Sequence, residues 1–268
     1  VEILEILGCH IEKTGKMCHV TPAPWRNDIV GSADLVEEII RIHGYDKLIM
    51  EALPREEIIA KPAYSAAQKR PVLLRRHLSG SGLIEAVTFS FLKAEDAMRF
   101  GGGSQALHLA NPISADLNCM RPSLLPNLLH AASRNLNRGI RNIGLFEIGP
   151  VFLSPDETGQ RTSCALLRQG DAQIADWQQQ SRELDIFDIK QDLLSCLSLL
   201  GMSTDNLQIA REAPDYLHPG RSACLKLGKV FVGIFGELHP QILADYEIKA
   251  PVVGSEFCLD DLPLPRSK

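Results

Sequence analysis

Apolar residues recur at helical spacing early in the chain, where Leu35, Ile39 and Ile42 lie three or four positions apart. A helix with one apolar face has this period. Gly44 suits the position just after such a helix, because glycine adopts the left-handed conformation without strain. The pattern predicts helices at the start of the chain and over residues 33–43, 63–79, 124–137 and 186–200. The apolar stripe of the last helix consists of Phe187, Leu193, Leu194, Leu197 and Leu200.

Runs of β-branched and aromatic residues, bounded by glycine or proline, predict strands between and after these helices. The predicted strands cover residues 18–21, 85–91, 143–153, 207–211, 221–227, 229–236 and 252–259. Pro219-Gly220 and Leu227-Gly228 mark turns among the later strands. Because helices and strands do not alternate regularly, the sequence predicts an α+β fold with a mainly antiparallel sheet flanked by helices.

Prolines and polar residues separate two regions of the chain. Residues 1–54 are expected to form a small partial α/β module, residues 55–62 a linker, and residues 63–268 one large domain. The chain begins with Val1, and no secretory signal follows it. We therefore expect it to be a piece of a longer polypeptide.

Charge is distributed unevenly along the 268 residues, whose net charge is −5. Residues 61–145 carry 11 basic and 4 acidic side chains, whereas both flanking regions are acidic. A basic middle suits RNA or an acidic partner surface, and it suits equally a solvated face of long arginine side chains. The seven scattered cysteines include no CxxC pair, which favours reduced thiols in a cytosolic protein. No apolar run is long enough to span a bilayer.

Three stretches carry a family resemblance, and together they cover most of the chain. They are PAPWRNDIVGSADLVEEIIRIHGYDKL (22–48), NPISADLNCMRPSLLPNLLHAASRNLNRG with LFEIGPVF (111–139 and 145–152), and LHPGRSACLKLGKVFVGIFGELHP (217–240). Their order and spacing resemble the bacterial-type phenylalanyl-tRNA synthetase β subunit. The first stretch is similar to the end of the B5-like module of that subunit, and the others are similar to its class II synthetase-like core.

The resemblance also implies a core that has lost its chemistry. The second motif of active class II enzymes typically reads F-E-I-G-x-x-F-R-x-E, and its arginine grips the α-phosphate of ATP as a planar, permanently charged fork. Here Leu153 stands at the arginine position and Pro155 at the acid position. Phe89 replaces the proline of the first motif, and the nearest counterpart of the third motif, from Gly233 to Pro240, has no arginine. No residue of this core is therefore expected to be catalytic.

Four carboxylates match positions at which the family binds a Mg²⁺ ion shared with the α subunit: Asp28, Asp34, Glu37 and Glu38. The last three lie at i, i+3 and i+4, on one side of the predicted helix. The ion would take one or two of them directly and the others through water. From the residues alone a structural reading is favoured, in which Asp34 complements the helix dipole and Glu37 pairs with Arg41.

The implied function is that of a non-catalytic structural core in phenylalanine–tRNA ligase. By resemblance this is a cytoplasmic α₂β₂ enzyme, in which the α subunit attaches phenylalanine to tRNA(Phe) with ATP and Mg²⁺. The expected partners are the α subunit and, in the full complex, the tRNA, with no membrane. Two alternatives are a stand-alone nucleic-acid-binding module and a divergent class II ligase. The acidic start of the chain argues against the former, and Leu153 against the latter.

Exposed positions on two predicted helices are candidate contacts. Leu73, Leu74 and Leu78 lie among cations on helix 63–79. By resemblance, class II enzymes use this helix to associate, so one leucine stripe is expected to pack on the chain's own sheet and the neighbouring side of the helix to face the α subunit. Around the end of helix 124–137, the candidates for RNA contact are Arg134, Arg138 and Arg141. A capping role or a contact with the α subunit would explain these arginines equally well.

Two other groups of residues are weaker candidates. His218 and His239 each precede a proline and, with Glu237, look like a divided metal site. Two histidines with loop geometry are more often packing residues. Cys119 and His130 would make a nucleophile and base only if the fold brought them together.

Overall fold

The computed structural model describes residues 1–52, 62–173 and 175–263. They belong to two compact units, Val1–Lys61 and Pro62–Lys268. The predicted linker, residues 55–62, lies outside the described residues except for Pro62. No helix in the described part of the chain is both long and apolar enough to cross a membrane.

The first unit contains two helices and a hairpin: α1 (Glu2–Ile6), β1 (His10–Thr14), β2 (Met17–Thr21) and α2 (Ser32–His43). β1 and β2 pair antiparallel. Helix α2 confirms the prediction, and it ends at Gly44, whose amide donates to the Ile40 carbonyl. Strand β1 was not predicted, because only Ile11 of its residues is half-buried and the strand leaves no hydrophobic pattern.

The second unit contains eleven strands and five helices in its described part. In chain order they are α3 (Ala66–Gly80), β3 (Ile84–Glu85), β4 (Phe91–Leu92), α4 (Ala94–Arg99), β5 (Cys119–Met120), α5 (Leu125–Leu136), β6 (Ile143–Phe152), β7 (Gln160–Gln169), β8 (Asp171–Gln173), β9 (Arg182–Glu183), α6 (Ile186–Leu199), β10 (Gln208–Ala210), β11 (Leu217–Leu227), β12 (Val230–Leu238), α7 (Pro240–Asp245) and β13 (Val252–Cys258). Short 3₁₀ turns lie at Tyr45–Lys47 in the first unit and at Gln105–Leu107 and Glu157–Gly159 in the second.

A seven-stranded sheet forms the centre of this unit, in the order β10-β11-β12-β13-β7-β6-β3. Every neighbouring pair is antiparallel except β3 and β6, which are parallel. Two small ribbons, β4-β5 and β8-β9, lie outside it. The predicted α+β class with a mainly antiparallel sheet is confirmed.

Both faces of the sheet are buried under helices. Along β7, Cys164 and Leu166 join the core formed with α3 and α6, whereas Ala165 and Leu167 join the core formed with α5 and α7. All four side chains are fully buried. A strand covered on both faces has no alternation of polar and apolar residues, and β7 was missing from the sequence prediction for this reason.

The helices over 63–79, 124–137 and 186–200 are confirmed with small shifts at their ends. Ser65 begins α3 as an N-cap that accepts from the Gln68 amide, and Asp185 caps α6 in the same way. The predicted stripe of α6 is wrong at Phe187, which is 69% exposed. Ile189 fills the core in its place, because it lies four residues before Leu193 on the same helix face.

The predicted strand over 85–91 is largely wrong. Only Ile84–Glu85 pairs with β6, and Phe91–Leu92 pairs with β5 instead. In between, the Ala86 amide still donates to the Phe146 carbonyl, but side chains bond the backbone of Thr88 and Phe89. The Thr88 amide donates to Glu147, and the Phe89 carbonyl accepts from Asn127 and Arg121. These bonds replace a ladder partner, which is why the β-like composition does not form a strand here.

A buried ion pair holds this segment to the sheet. The Arg121 guanidinium is 2.7 Å from the Glu147 carboxylate, and both side chains are almost completely buried. Arg121 also donates to the Pro150 carbonyl and to the Thr88 hydroxyl. A Cβ at Gly149 would lie 2.6 Å from an Arg121 nitrogen, so the glycine of the F-E-I-G stretch makes room for this cation.

Replacing Arg121 by alanine should lower the free energy of unfolding by about 3–5 kcal/mol, because Glu147 would be left as a buried, uncompensated charge. Urea unfolding followed by circular dichroism measures this loss. The control is Arg182→Ala, which removes the exposed pair between Arg182 and Asp188 and should leave the unfolding midpoint near that of the wild type. Equal losses in the two variants would contradict the role given to Arg121.

Candidate functional site

A cavity of about 280 Å³ opens at the end of β6. Leu153 lines it and is 63% exposed, so an apolar side chain occupies the position of the phosphate-binding arginine. The one arginine that lines the cavity is Arg161, which donates to the Thr158 and Gln160 carbonyls and lies 3.7 Å from Asp261. The Arg161 guanidinium therefore already has partners within the protein.

Glu256 on β13 is the acidic residue deepest in this cavity. Its carboxylate accepts from the Ser123 hydroxyl at 2.5 Å and from the Leu124 amide at 2.9 Å. Burial raises the pKa of this carboxyl group, and the hydrogen bonds from Ser123 and Leu124 oppose part of that shift. A carboxyl group at this point offers no positive charge to a triphosphate, and its ionised form would repel one, since like charges repel most strongly where water is excluded.

The glycines assigned to the third motif have a packing role. A Cβ at Gly233 would lie 2.8 Å from the Phe257 Cβ, and one at Gly236 would lie 2.5 Å from the Ser222 Cβ. Both glycines let neighbouring strands approach closely. His239 then caps α7 through its Nδ1, and α7 contains no arginine. Helix α7 therefore does not supply the arginine that the third motif lacks.

In the first unit, two of the four predicted metal ligands converge on an arginine. The Arg26 guanidinium donates to Asp28 at 2.6 Å and to Glu38 at 3.0 Å, and Arg41 donates to Glu38 at 2.7 Å. We call this set of four residues the Arg26 clamp. The hydrogen bond from Arg26 lowers the pKa of Asp28 to about 2, and the bonds from Arg26 and Arg41 lower that of Glu38 to about 2.

The other two predicted ligands lie apart from the clamp. One oxygen of Asp34 accepts from the backbone amides of Val30 and Gly31, both at 2.8 Å, and these bonds lower its pKa. Asp34 lies in the first turn of α2, as the helix-dipole reading from sequence requires, and it also caps the start of the helix through these bonds. Glu37 is exposed, and Arg41 bonds Glu38 rather than Glu37.

This arrangement does not fit a magnesium ion. Within the described ranges, no group of three or more His, Cys, Asp or Glu side chains is arranged to hold a metal. Carboxylate oxygens of Asp28 and Glu38 already face a guanidinium, and one oxygen of Asp34 faces amide hydrogens. The Mg²⁺ site at Asp28, Asp34, Glu37 and Glu38 stays a prediction.

The weaker candidates from sequence have structural partners. The Nδ1 atoms of His218 and His239 accept from the Gly220 and Gln241 amides, and their ring centroids lie 6.5 Å apart. Glu237 pairs with Arg221. Cys119 is fully buried, which raises the pKa of its thiol, and His130 bonds Asp96 at 3.0 Å. These contacts favour packing and capping roles over chemistry.

Two family models match the chain and together cover nearly all of it. A model described as phenylalanyl tRNA synthetase beta chain CLM domain matches residues 49–259, and a model of the tRNA synthetase B5 domain matches residues 1–45. The chain belongs to the phenylalanyl-tRNA synthetase β chain family. The family resemblance seen in the sequence is thereby confirmed.

Relatives of this synthetase family and solved structures agree with the assignment. The phenylalanine–tRNA ligase β subunits of Paramagnetospirillum magneticum and Rhodospirillum rubrum are 47% and 45% identical over 99% of this chain. The chain spans about a third of the length of either relative, 33% in each case. A pyrrolysyl tRNA synthetase of Desulfitobacterium hafniense has the same fold, with a TM-score of 0.53, 20% identity, and coverage of 72% of this chain and 66% of that one.

Two residues of these candidate sites, Arg26 and Glu256, were not singled out from the sequence. Arg26 lies two residues from Asp28 in the W-R-N-D stretch. A cation so close to a predicted metal ligand could have indicated an ion pair between the two. Glu256 gave no signal, because its environment is assembled from Ser123, Leu124 and Ser163, more than ninety positions away.

Replacing Arg26 by glutamine should raise the Asp28 pKa from about 2 toward the ordinary 3.8, because Asp28 loses its charged donor. Both carboxyl groups of the clamp have lowered pKa values in the folded chain. The clamp therefore stabilises this unit fully above the ordinary carboxylate range, and its contribution is lost as the pH falls toward about 2. Carboxyl ¹³C NMR titration measures each pKa.

The matched control is Arg41→Gln, which removes a donor to Glu38 and none to Asp28. In that variant the Asp28 pKa should stay near 2, as in the wild type. An Asp28 titration midpoint of about 3.8 in the wild-type chain would show that the clamp does not form.

Proposed function

We propose that this chain is the non-catalytic structural core of the β subunit of phenylalanine–tRNA ligase. In this proposal the α subunit attaches phenylalanine to tRNA(Phe) with ATP, and the cytoplasmic enzyme is an α₂β₂ heterotetramer. The observation that carries the proposal is Leu153. Leu153 stands at the position of the phosphate-binding arginine in a sheet of the class II type. The cavity that it lines contains the carboxyl group of Glu256, which does not favour a triphosphate.

The surface that would receive the α subunit lies on α3 and the neighbouring sheet edge. Leu74 and Leu78 are fully buried in the core, whereas Leu73 is 41% exposed. Leu74 and Leu78 thus pack on the sheet, and Leu73 on the neighbouring side of the helix is exposed to solvent. Beside α3, Ile84 and Val87 are 69% and 89% exposed at the edge strand β3 and just after it. We call Leu73, Ile84 and Val87 the α3 face.

This face suits an obligate partner. The cores of permanent interfaces are apolar, with arginine among the polar contacts. Arg76 is exposed on the same helix. Leu73 also borders Leu199 in a groove of about 210 Å³, which an apolar side chain of the partner would fill.

The RNA part of the proposal rests on three cations after and within the last turn of α5. Arg134, Arg138 and Arg141 are all exposed, and none forms an ion pair with a described residue. Unpaired arginines on one surface suit phosphate contacts. The alternative of a stand-alone nucleic-acid-binding module gains nothing from these residues, since the acidic first unit would repel the same RNA.

A magnesium ion shared with the α subunit also remains a proposal for the assembled enzyme. In the chain by itself, Asp28 and Glu38 are bonded to Arg26. A Mg²⁺ ion could bind these two carboxylates only if their hydrogen bonds to Arg26 broke. The divergent class II ligase finds no support in the cavity at Leu153, whose cation Arg161 is bound to its own loop.

Changing Leu73 to aspartate should abolish capture of the α subunit, because a charge would be buried in an apolar interface. Co-purification of a tagged α subunit with this chain measures capture, and thermal melting checks that the variant stays folded. Leu73 is partly exposed, so the variant should fold. The control is Ile113→Asp, at a 75% exposed position away from α3. Full capture by Leu73→Asp would place the interface elsewhere.

A further inference from the structure

Glu256 differs from the other buried carboxylates in having no basic partner. Glu38, Asp96 and Glu147 each lie within 3.0 Å of an arginine or histidine nitrogen. No basic side chain of the described residues pairs with Glu256, whose donors are neutral. Buried charges are normally paired, because isolation from water is costly. Arg121 favours the ionised form of Glu256 from a distance, but within the described residues no cation is in direct contact with this carboxylate.

The hydrogen bonds to Glu256 also leave room for one more donor. A carboxylate offers about four acceptor positions. The Ser123 hydroxyl and the Leu124 amide fill two of them. The single hydroxyl hydrogen of Ser163 is shared between Glu256 and the Phe257 carbonyl, both at 3.1 Å. At least one acceptor position of this cavity-lining carboxylate is thus free.

The cavity around Glu256 has apolar walls and an open mouth. Val151 and Ile234 form its inner wall, and Leu153 and Phe231, which are 63% and 48% exposed, lie at its mouth. Its volume, about 280 Å³, is near the lower end of the range of small-molecule sites, about 300 Å³. Arg161 and Asp261 also line the cavity, but they pair with each other at 3.7 Å. Apolar walls with a few convergent polar or charged groups are the usual composition of such sites.

We propose that this cavity binds a small organic cation, with its ammonium group on Glu256 and its apolar body between Phe231 and Leu153. The ammonium supplies both the missing counter-charge and the missing hydrogen-bond donor. Leu153 has a matching role, because an arginine at this position would place a competing cation at the mouth. The charge preference of the cavity is thus opposite to that of a nucleotide site.

Three probes of similar shape test the charge requirement: phenethylamine, 2-phenylethanol and 3-phenylpropionate. Calorimetric titration of the 268-residue chain should show phenethylamine binding at least about tenfold more tightly than 2-phenylethanol, since a hydrogen bond to a charged group is worth that factor. 3-Phenylpropionate should not bind. Equal binding of the amine and the alcohol, or no binding of the amine, would overturn the proposal.

Variants locate the site. Glu256→Gln should reduce the affinity for phenethylamine by about tenfold or more. Because Glu256 supports its neighbours, Leu153→Arg provides a second test at an exposed position, and it should abolish amine binding by occupying the cavity with a cation. Ile113→Arg, which adds the same charge at an exposed position elsewhere, is the control. Amine binding that survives Leu153→Arg would place the site outside this cavity.

Discussion

The buried ion pair between Arg121 and Glu147 determines where the functional parts of the large unit lie. Arg121 fixes the segment at Thr88 and Phe89 to β6, and it fits only because Gly149 has no side chain. The chain then continues through Ser123 into α5, and Ser123 and the next amide hold Glu256. The direction of β6 in turn places Leu153 at the mouth of the same cavity. Arg121 therefore contacts both the segment that leads to the partners of Glu256 and the strand that leads to Leu153.

The proposed loss of chemistry is compatible with a stable class II fold, because different residues would carry chemistry and stability. The sheet is held by apolar packing on both faces and by the Arg121 pair, and neither depends on a nucleotide. The phosphate-binding positions lie at the surface, where Leu153 replaces a cation at no cost to the core. Such a domain would keep its fold and its surfaces. Of these surfaces, the α3 face is the most suited to a partner protein.

The sequence predicted those features that depend on local periodicity. Helices α2, α3, α5 and α6 follow from their apolar stripes, and the loss of the arginine at position 153 follows from the motif. Features that depend on distant residues were not accessible. Strand β7 is buried on both faces and has no alternation. Residues 86–90 have strand composition, but Thr88 and Phe89 in their middle form hydrogen bonds with the side chains of Glu147, Arg121 and Asn127. The Arg26 clamp was visible only as a cation close to predicted ligands.

The central claim is that this core no longer performs adenylate chemistry, and ATP–pyrophosphate exchange measures it most directly. The purified chain, assayed with phenylalanine and Mg²⁺, should show exchange at the background rate. Leu153→Arg should also remain at background, because the acid of the second motif and the arginine of the third are still missing. Phenylalanine-dependent exchange that co-purifies with the wild-type chain would contradict the account.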